Sequence, residues 1–290
     1  MGICETVVVF GHAGEQLVGV MARPGENERA SDVGVLVVVG GPQYRVGSHR
    51  QFLLLSRRIA AVGHPVFRFD YRGMGDSGGA PRGFDAVSSD IGAAVDAFLQ
   101  ACPSVNKVVL WGLCDAASAA LIHIDACADH RVAGLILLNP WVRSETTLAQ
   151  THIKHYYGNR LMQKEFWLKL VAGKLQVTKA VRGLMKSMLL ARGAAAQHPN
   201  GERPFQARMA NGWKGFPGEV LLILSGQDYT AMEFLDYVAS NADWSALMAR
   251  KGVTRIDIAD ADHTFSSARF RASVENASIA WLERFNDRLA

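Results

Sequence analysis

The sequence predicts an α/β fold: a doubly wound, mostly parallel, eight-stranded sheet with helices on both faces. Three observations predict it. Short apolar runs rich in β-branched residues alternate with longer stretches of helical periodicity. From the third run onward most are continuously apolar, as parallel strands covered on both faces are. The rhythm then breaks for about 75 residues, too long for one crossover, before the last two strands.

The elements follow in order. Runs at 7–10 and 17–23 lie close together and read as an antiparallel pair. Runs at 33–39, 66–70, 108–111, 135–139, 220–225 and 255–258 supply the remaining strands. Helical patterns cover 49–62, 84–100, 115–127, 231–240, 244–251 and 274–289, with further helical material between 145 and 210. In that last stretch Phe166, Trp167, Leu170 and Val171 form one apolar stripe, and Val181, Leu184, Met185, Met188 and Leu189 another. Residues 1–140 and 216–290 therefore read as the sheet body. Residues 141–215 read as a helical cap over the carboxyl edge, where a doubly wound sheet places its ligand.

At 290 residues and 49% hydrophobic the chain can bury a large core. Its net charge of +4 is unevenly spread. Between 151 and 215 there are 12 Lys and Arg against 2 Asp and Glu, a balance of +10; the remainder carries 19 against 25, or −6. No apolar run reaches the roughly 20 residues that span a bilayer, and no basic flank precedes an apolar leader. Met1-Gly2-Ile3-Cys4-Glu5-Thr6 fits a myristoylation pattern, but a start codon before a first strand accounts for it more simply. Cys4, Cys102, Cys114 and Cys127 match no zinc or redox spacing. Reduced thiols in a cytoplasmic protein are the expectation.

The chemistry centres on Gly112-Leu113-Cys114-Asp115-Ala116. A strand runs into small-x-nucleophile-x-small and then into a helix, a turn too sharp for bulk two residues on either side of the nucleophile. It presents Cys114 at a helix N-terminus, where N–H groups favour a thiolate. Asp115 as nucleophile would put bulky Leu113 at a small position, and Ser118 lies a full turn inside the helix. The alternative is that Cys114 is a small buried hydrophobe. Asp228 follows the run 220–225, and His263 follows 255–258. Nucleophile, acid and base thus fall in one order at successive strand ends: His263 to move the proton, Asp228 to orient the imidazole. Taken singly, His263 is also a loop residue beside Asp257, Asp260 and Asp262, and Asp228 a turn residue.

An oxyanion hole needs two backbone N–H groups. Asp115 supplies one. The other comes from Gly40-Gly41-Pro42-Gln43; Pro42 has no N–H, which leaves Gln43 or Gly41, and spacing does not choose. The segment Asp70-Tyr71-Arg72-Gly73-Met74-Gly75-Asp76-Ser77 looks like the D-x-R-G-x-G-x-S turn that many α/β-hydrolases carry after the fourth strand, and reads as architectural. His123, Asp125 and His130 lack metal-site spacing. His49-Arg50 opens a helix near the active edge, either to meet an anionic group or as a solvated start. No metal or cofactor is called for.

The elbow Gly112-Leu113-Cys114-Asp115-Ala116-Ala117-Ser118, the loop from Gly40 to Phe52 and the turn from Asp70 to Ser77 together resemble hydrolase 1 of the exosortase A system-associated α/β-hydrolases. These occur in bacterial exopolysaccharide and PEP-CTERM protein-sorting loci. The resemblance covers the sheet body, most of the chain, and implies an α/β-hydrolase fold and a bacterial cytoplasmic enzyme of unassigned substrate. Dienelactone hydrolases share a Cys–His–Asp triad in this fold, with no other tie. The residues themselves point to acyl transfer: hydrolysis of an ester or thioester through an acyl-enzyme on Cys114. Two alternatives stand beside it, an acyltransferase passing the acyl group to a hydroxyl of a polysaccharide precursor, and a non-catalytic scaffold. An acyl-carrier protein or coenzyme A, both anionic, would suit Lys164, Lys169, Lys174, Lys179, Arg182 and Lys186, which otherwise read as a solvated face. No nucleic-acid partner is expected.

Overall fold

The computed structural model describes residues 2–25, 30–143 and 203–289, with side chains to 285. Eight strands form one sheet: β1 (Ile3–His12), β2 (Glu15–Pro24), β3 (Val33–Val38), β4 (Val66–Phe69), β5 (Lys107–Leu113), β6 (Val132–Leu138), β7 (Glu219–Ser225) and β8 (Val253–Ile258). Their order is β1-β2-β4-β3-β5-β6-β7-β8. The first two strands form the expected antiparallel hairpin, with Val7 opposite Val20, and β2 meets β4 antiparallel. Every later pairing is parallel.

Among the described residues seven α-helices cover the sheet: α1 (Gln51–Ala61), α2 (Ser88–Ala101), α3 (Asp115–Cys127), α4 (Phe205–Gly215), α5 (Tyr229–Ser240), α6 (Ala242–Met248) and α7 (Ala268–Leu289). The continuous apolar runs are explained by two cores, one on each face, fed by alternate residues of the central strands. Val33, Val35 and Val37 join Val109, Trp111, Ile136 and Ile223 under α1 and α7, where Phe52, Ile59, Trp281 and Leu282 close the layer. Leu36, Val38, Leu110, Leu135 and Leu222 face the other way, against α2 to α6 through Ile91, Phe98, Leu121, Trp213, Phe234 and Trp244. Each such side chain, fully buried, contributes about 1.5–3 kcal/mol, so both faces must be covered for the sheet to persist.

Three differences from the expected elements have local causes. The helix expected from 49 begins at Gln51, because Gly47, His49 and Arg50 all take positive φ (73°, 52° and 61°). The helix expected from 231 begins at Tyr229, because the Asp228 side chain caps it. The helix expected from 244 begins at Ala242, because Asn241 accepts from the N–H groups of Asp243 and Trp244.

The helical stripes expected between 145 and 202, and with them Lys164, Lys169, Lys174, Lys179, Arg182 and Lys186, lie outside the described residues. The end of that stretch is α4, which packs on α3 with Met209 and Trp213 fully buried. Gly212 lets the two helices touch: a Cβ there would stand 2.0 Å from the Leu121 carbonyl oxygen. No helix among the described residues is long and apolar enough to cross a membrane.

Candidate active site

Cys114 is the hinge between β5 and α3. Its φ of 63° and ψ of −124° are unusual for a residue with a Cβ. The chain must double back so tightly that a Cβ on Gly112 would lie 2.7 Å from the carbonyl carbon of Ala116. Ala116 is itself wholly buried, so both flanking positions need small residues, as the spacing suggested. The Cys114 N–H donates to Leu138 O at 2.8 Å, and its carbonyl accepts from Ala117 N–H at 3.1 Å and Trp141 N–H at 3.3 Å. The backbone is thereby clamped and the half-buried thiol stands at the carboxyl edge of the sheet. Ser118 is fully buried and donates its hydroxyl to Trp141 O at 2.7 Å, a poor place for a rival nucleophile.

The acid and the histidine come from the two neighbouring strand ends. Asp228 follows β7 and is 7% exposed; its Oδ1 accepts from Thr230 N–H at 3.0 Å and its Oδ2 from Ala231 N–H at 3.2 Å. Oδ2 also lies 2.8 Å from His263 Nδ1. The imidazole of His263 interacts electrostatically in turn with Cys114. The Asp228 hydrogen bond first, and the Cys114 contact second, raise the imidazole to a pKa of about 10. His263 is therefore cationic at neutral pH. Two of the aspartates around it are otherwise engaged: Asp262 accepts from Ser266 N–H at 2.9 Å, and Asp257 pairs with Arg255 at 2.9 Å. Cys114, His263 and Asp228 are thus brought together, and the local turn and loop roles of the last two coexist with that contact.

The loop after β3 is held against the elbow by a carboxylate. Asp115 Oδ2 accepts the Gly41 N–H at 3.0 Å, and a Cβ on Gly40 would fall 2.2 Å from Asp115 Oδ1. Burial pushes the Asp115 carboxyl above its ordinary value, against hydrogen bonds from Gly41, Ala116 and its own N–H. The Gln43 N–H turns back to Gly41 O at 2.9 Å, and the Gln43 side chain donates to Gly40 O at 2.5 Å. Of the two loop donors left open by spacing, Gly41 faces the elbow and Gln43 closes a turn. The grip of Asp115 had no sequence signal beyond its place after the nucleophile.

The turn from Asp70 to Ser77 explains how that loop is set. Asp70 is buried and accepts from Arg45 N–H at 2.8 Å, from the Arg45 guanidinium, and from Asp76 N–H at 3.1 Å. Gly75 is obligatory here, since a Cβ would sit 2.2 Å from Asp70 Oδ2. Arg45 also reaches Asp76 at 2.8 Å, and Tyr71 donates to Val39 O. Elsewhere His123 is buried against Ser88 O at 3.0 Å, and among the described residues no three His, Cys, Asp or Glu side chains group as a metal would require. His49 and Arg50 are exposed. Asn139, at the end of β6, was passed over as a strand terminus; it is wholly buried and bonded to Ser225 and His263.

The family model described as alpha/beta hydrolase family matches residues 35–273. The chain belongs to that family. Its match takes in the elbow, both later site residues and the loop after β3. No curated protein matches the chain in sequence. Among solved structures it is similar to the Pyrococcus furiosus esterase Pf2001, at 15% identity and a TM-score of 0.64, covering 98% of this chain and 91% of that one. It is also similar to Est1E from Butyrivibrio proteoclasticus, solved with ferulic acid, at 13% identity and a TM-score of 0.60 over 95% and 98% of the two chains. XC6422 from Xanthomonas campestris, described as an α/β serine hydrolase without a lid, gives 15% identity and a TM-score of 0.56 over 96% and 94%. At these identities the likeness is one of fold.

Proposed function

We propose that this α/β-hydrolase family member cleaves an ester or thioester through an acyl-enzyme on Cys114. The observation that carries the reading is the hydrogen bond between Asp228 and His263 together with the interaction of His263 with Cys114, with the thiol on a hinge of positive φ at a helix N-terminus. His263 takes the proton of the Cys114 thiol. That sulfur attacks the acyl carbonyl, and the tetrahedral oxyanion takes N–H groups from Gly41 and Asp115 once the Asp115 carboxylate yields them. Collapse breaks the bond to the leaving group, which leaves with the proton from His263. A water then gives its proton to His263 and attacks the thioester, releasing a carboxylic acid and the sulfur.

Three supports are weaker. One of the structural neighbours is described as an esterase and another was solved with ferulic acid. The resemblance to the exosortase A system-associated family suggests a cytoplasmic role in bacterial exopolysaccharide assembly. The +10 balance between 151 and 215 suits an anionic acyl carrier or coenzyme A. The test is turnover of a panel of nitrophenyl esters and acyl thioesters by the wild type and by Cys114→Ala. Loss of at least about a thousandfold is expected, the scale seen when a nucleophile is removed. Undiminished turnover in Cys114→Ala would end the reading.

A further inference from the structure

We propose that Asn139 is a positioning residue for His263, fixing the backbone from which the imidazole reaches Cys114; this rests on the acyl-enzyme reading above. Asn139 lies one residue beyond β6, wholly buried, with a φ of 43° that asparagine tolerates better than most residues. Its N–H donates to Ile223 O at 3.1 Å. Its side-chain oxygen accepts from Ser225 N–H at 2.9 Å. Its Nδ2 donates to Ser225 Oγ at 2.5 Å and to the His263 carbonyl oxygen at 3.2 Å. One amide therefore ties the ends of β6 and β7 to the loop that carries the base.

The backbone bonds that tie that loop to the end of β7 stop short of the histidine, and those from Phe265 and Ser266 to Asp262 close the loop on itself. Gly226 N–H donates to Ile258 O and Gln227 N–H to Ala261 O, both at 2.9 Å. The Asn139 amide reaches His263 itself. The residue type is dictated by the partners: one acceptor is needed for a backbone N–H and two donors for a hydroxyl and a carbonyl. Aspartate would keep the acceptor and lose both donors. An apolar side chain would leave a buried N–H at Ser225 unpaired.

The test measures the pH dependence of iodoacetamide labelling at Cys114, with kcat and KM on an activated ester and thermal unfolding. Exposed Cys4 serves as the internal thiol standard. Asn139→Gly removes the amide and suits the positive φ; Asn139→Asp keeps the shape should the glycine variant fail to fold. Ile136→Val, in β6 just before it, controls for destabilisation alone. In either Asn139 variant, labelling of Cys114 at pH 6 and kcat should fall about tenfold, KM should hold, and Ile136→Val should keep the wild-type profile. A lowered melting temperature with an unchanged labelling profile and kcat would make Asn139 a structural brace and overturn the proposal. Should wild-type Cys114 label no faster than Cys4 at pH 6, the acyl-enzyme reading itself fails, and the proposal with it.

Discussion

Replacing Cys114 by glycine and by alanine, and comparing the two, reads the strain stored at the elbow. Both variants lack the thiol, so the interaction with His263 cancels. Alanine keeps the Cβ in a backbone of φ 63° and ψ −124°; glycine does not. A residue held in such a conformation costs about 1–3 kcal/mol. Glycine ordinarily loses about 0.4–1 kcal/mol to alanine through the freedom of the unfolded chain. The difference leaves the glycine variant more stable by about 1 kcal/mol. A chain of 290 residues has an unfolding entropy near 0.6 kcal/mol/K, so its melting temperature should stand about 2 °C above that of the alanine variant. Differential scanning calorimetry on both proteins decides it. A glycine variant melting below the alanine variant would show that the elbow is unstrained there, and would remove one support for a nucleophile at this position.

Two further outcomes follow from the site's electrostatics. The His263 imidazole, followed by NMR, should titrate near 10 in the wild type, at a lower pH in Cys114→Ala, and lower still in Asp228→Asn, because the aspartate contributes most and each negative partner favours the proton; equal midpoints in wild type and Cys114→Ala would mean that thiol and imidazole do not meet. Asp115→Ala should free the Gly41 N–H and raise kcat/KM for a small activated ester about fivefold, the worth of one hydrogen bond that substrate no longer displaces; a fall instead would mean that the carboxylate matters more for holding the loop.

What was legible in the sequence was local or periodic. The apolar runs marked β3 to β7 most plainly, because those strands are buried on both faces and leave no polar phase to confuse the pattern. Gly112 and Ala116 marked the elbow because backbone collision there excludes larger residues. Asp228 and His263 were legible because the order of strand ends is fixed by topology. Asn139 was not, because its partners lie 86 and 124 residues away and nothing near it in sequence signals them. Likewise the break in the strand rhythm placed residues 141–215 together, and gave no sign that the apolar face of α4 and Gly212 are matched to α3, a contact made only in the folded chain. The start of α1 was placed two residues early, since His49 and Arg50 give no compositional hint of their left-handed backbone.

The central claim is that an acyl group passes through Cys114. Intact-mass spectrometry after rapid acid quench, with a panel of acyl thioesters and activated esters, tests it most directly. The wild type should gain the mass of one acyl group, mapped by peptide digestion to the segment containing Cys114 and accumulating further in His263→Ala if the donor is activated enough to acylate it. Cys114→Ala should gain none. An adduct of the same stoichiometry on Cys114→Ala, or one mapped to Ser118 or Asp115, would contradict the account.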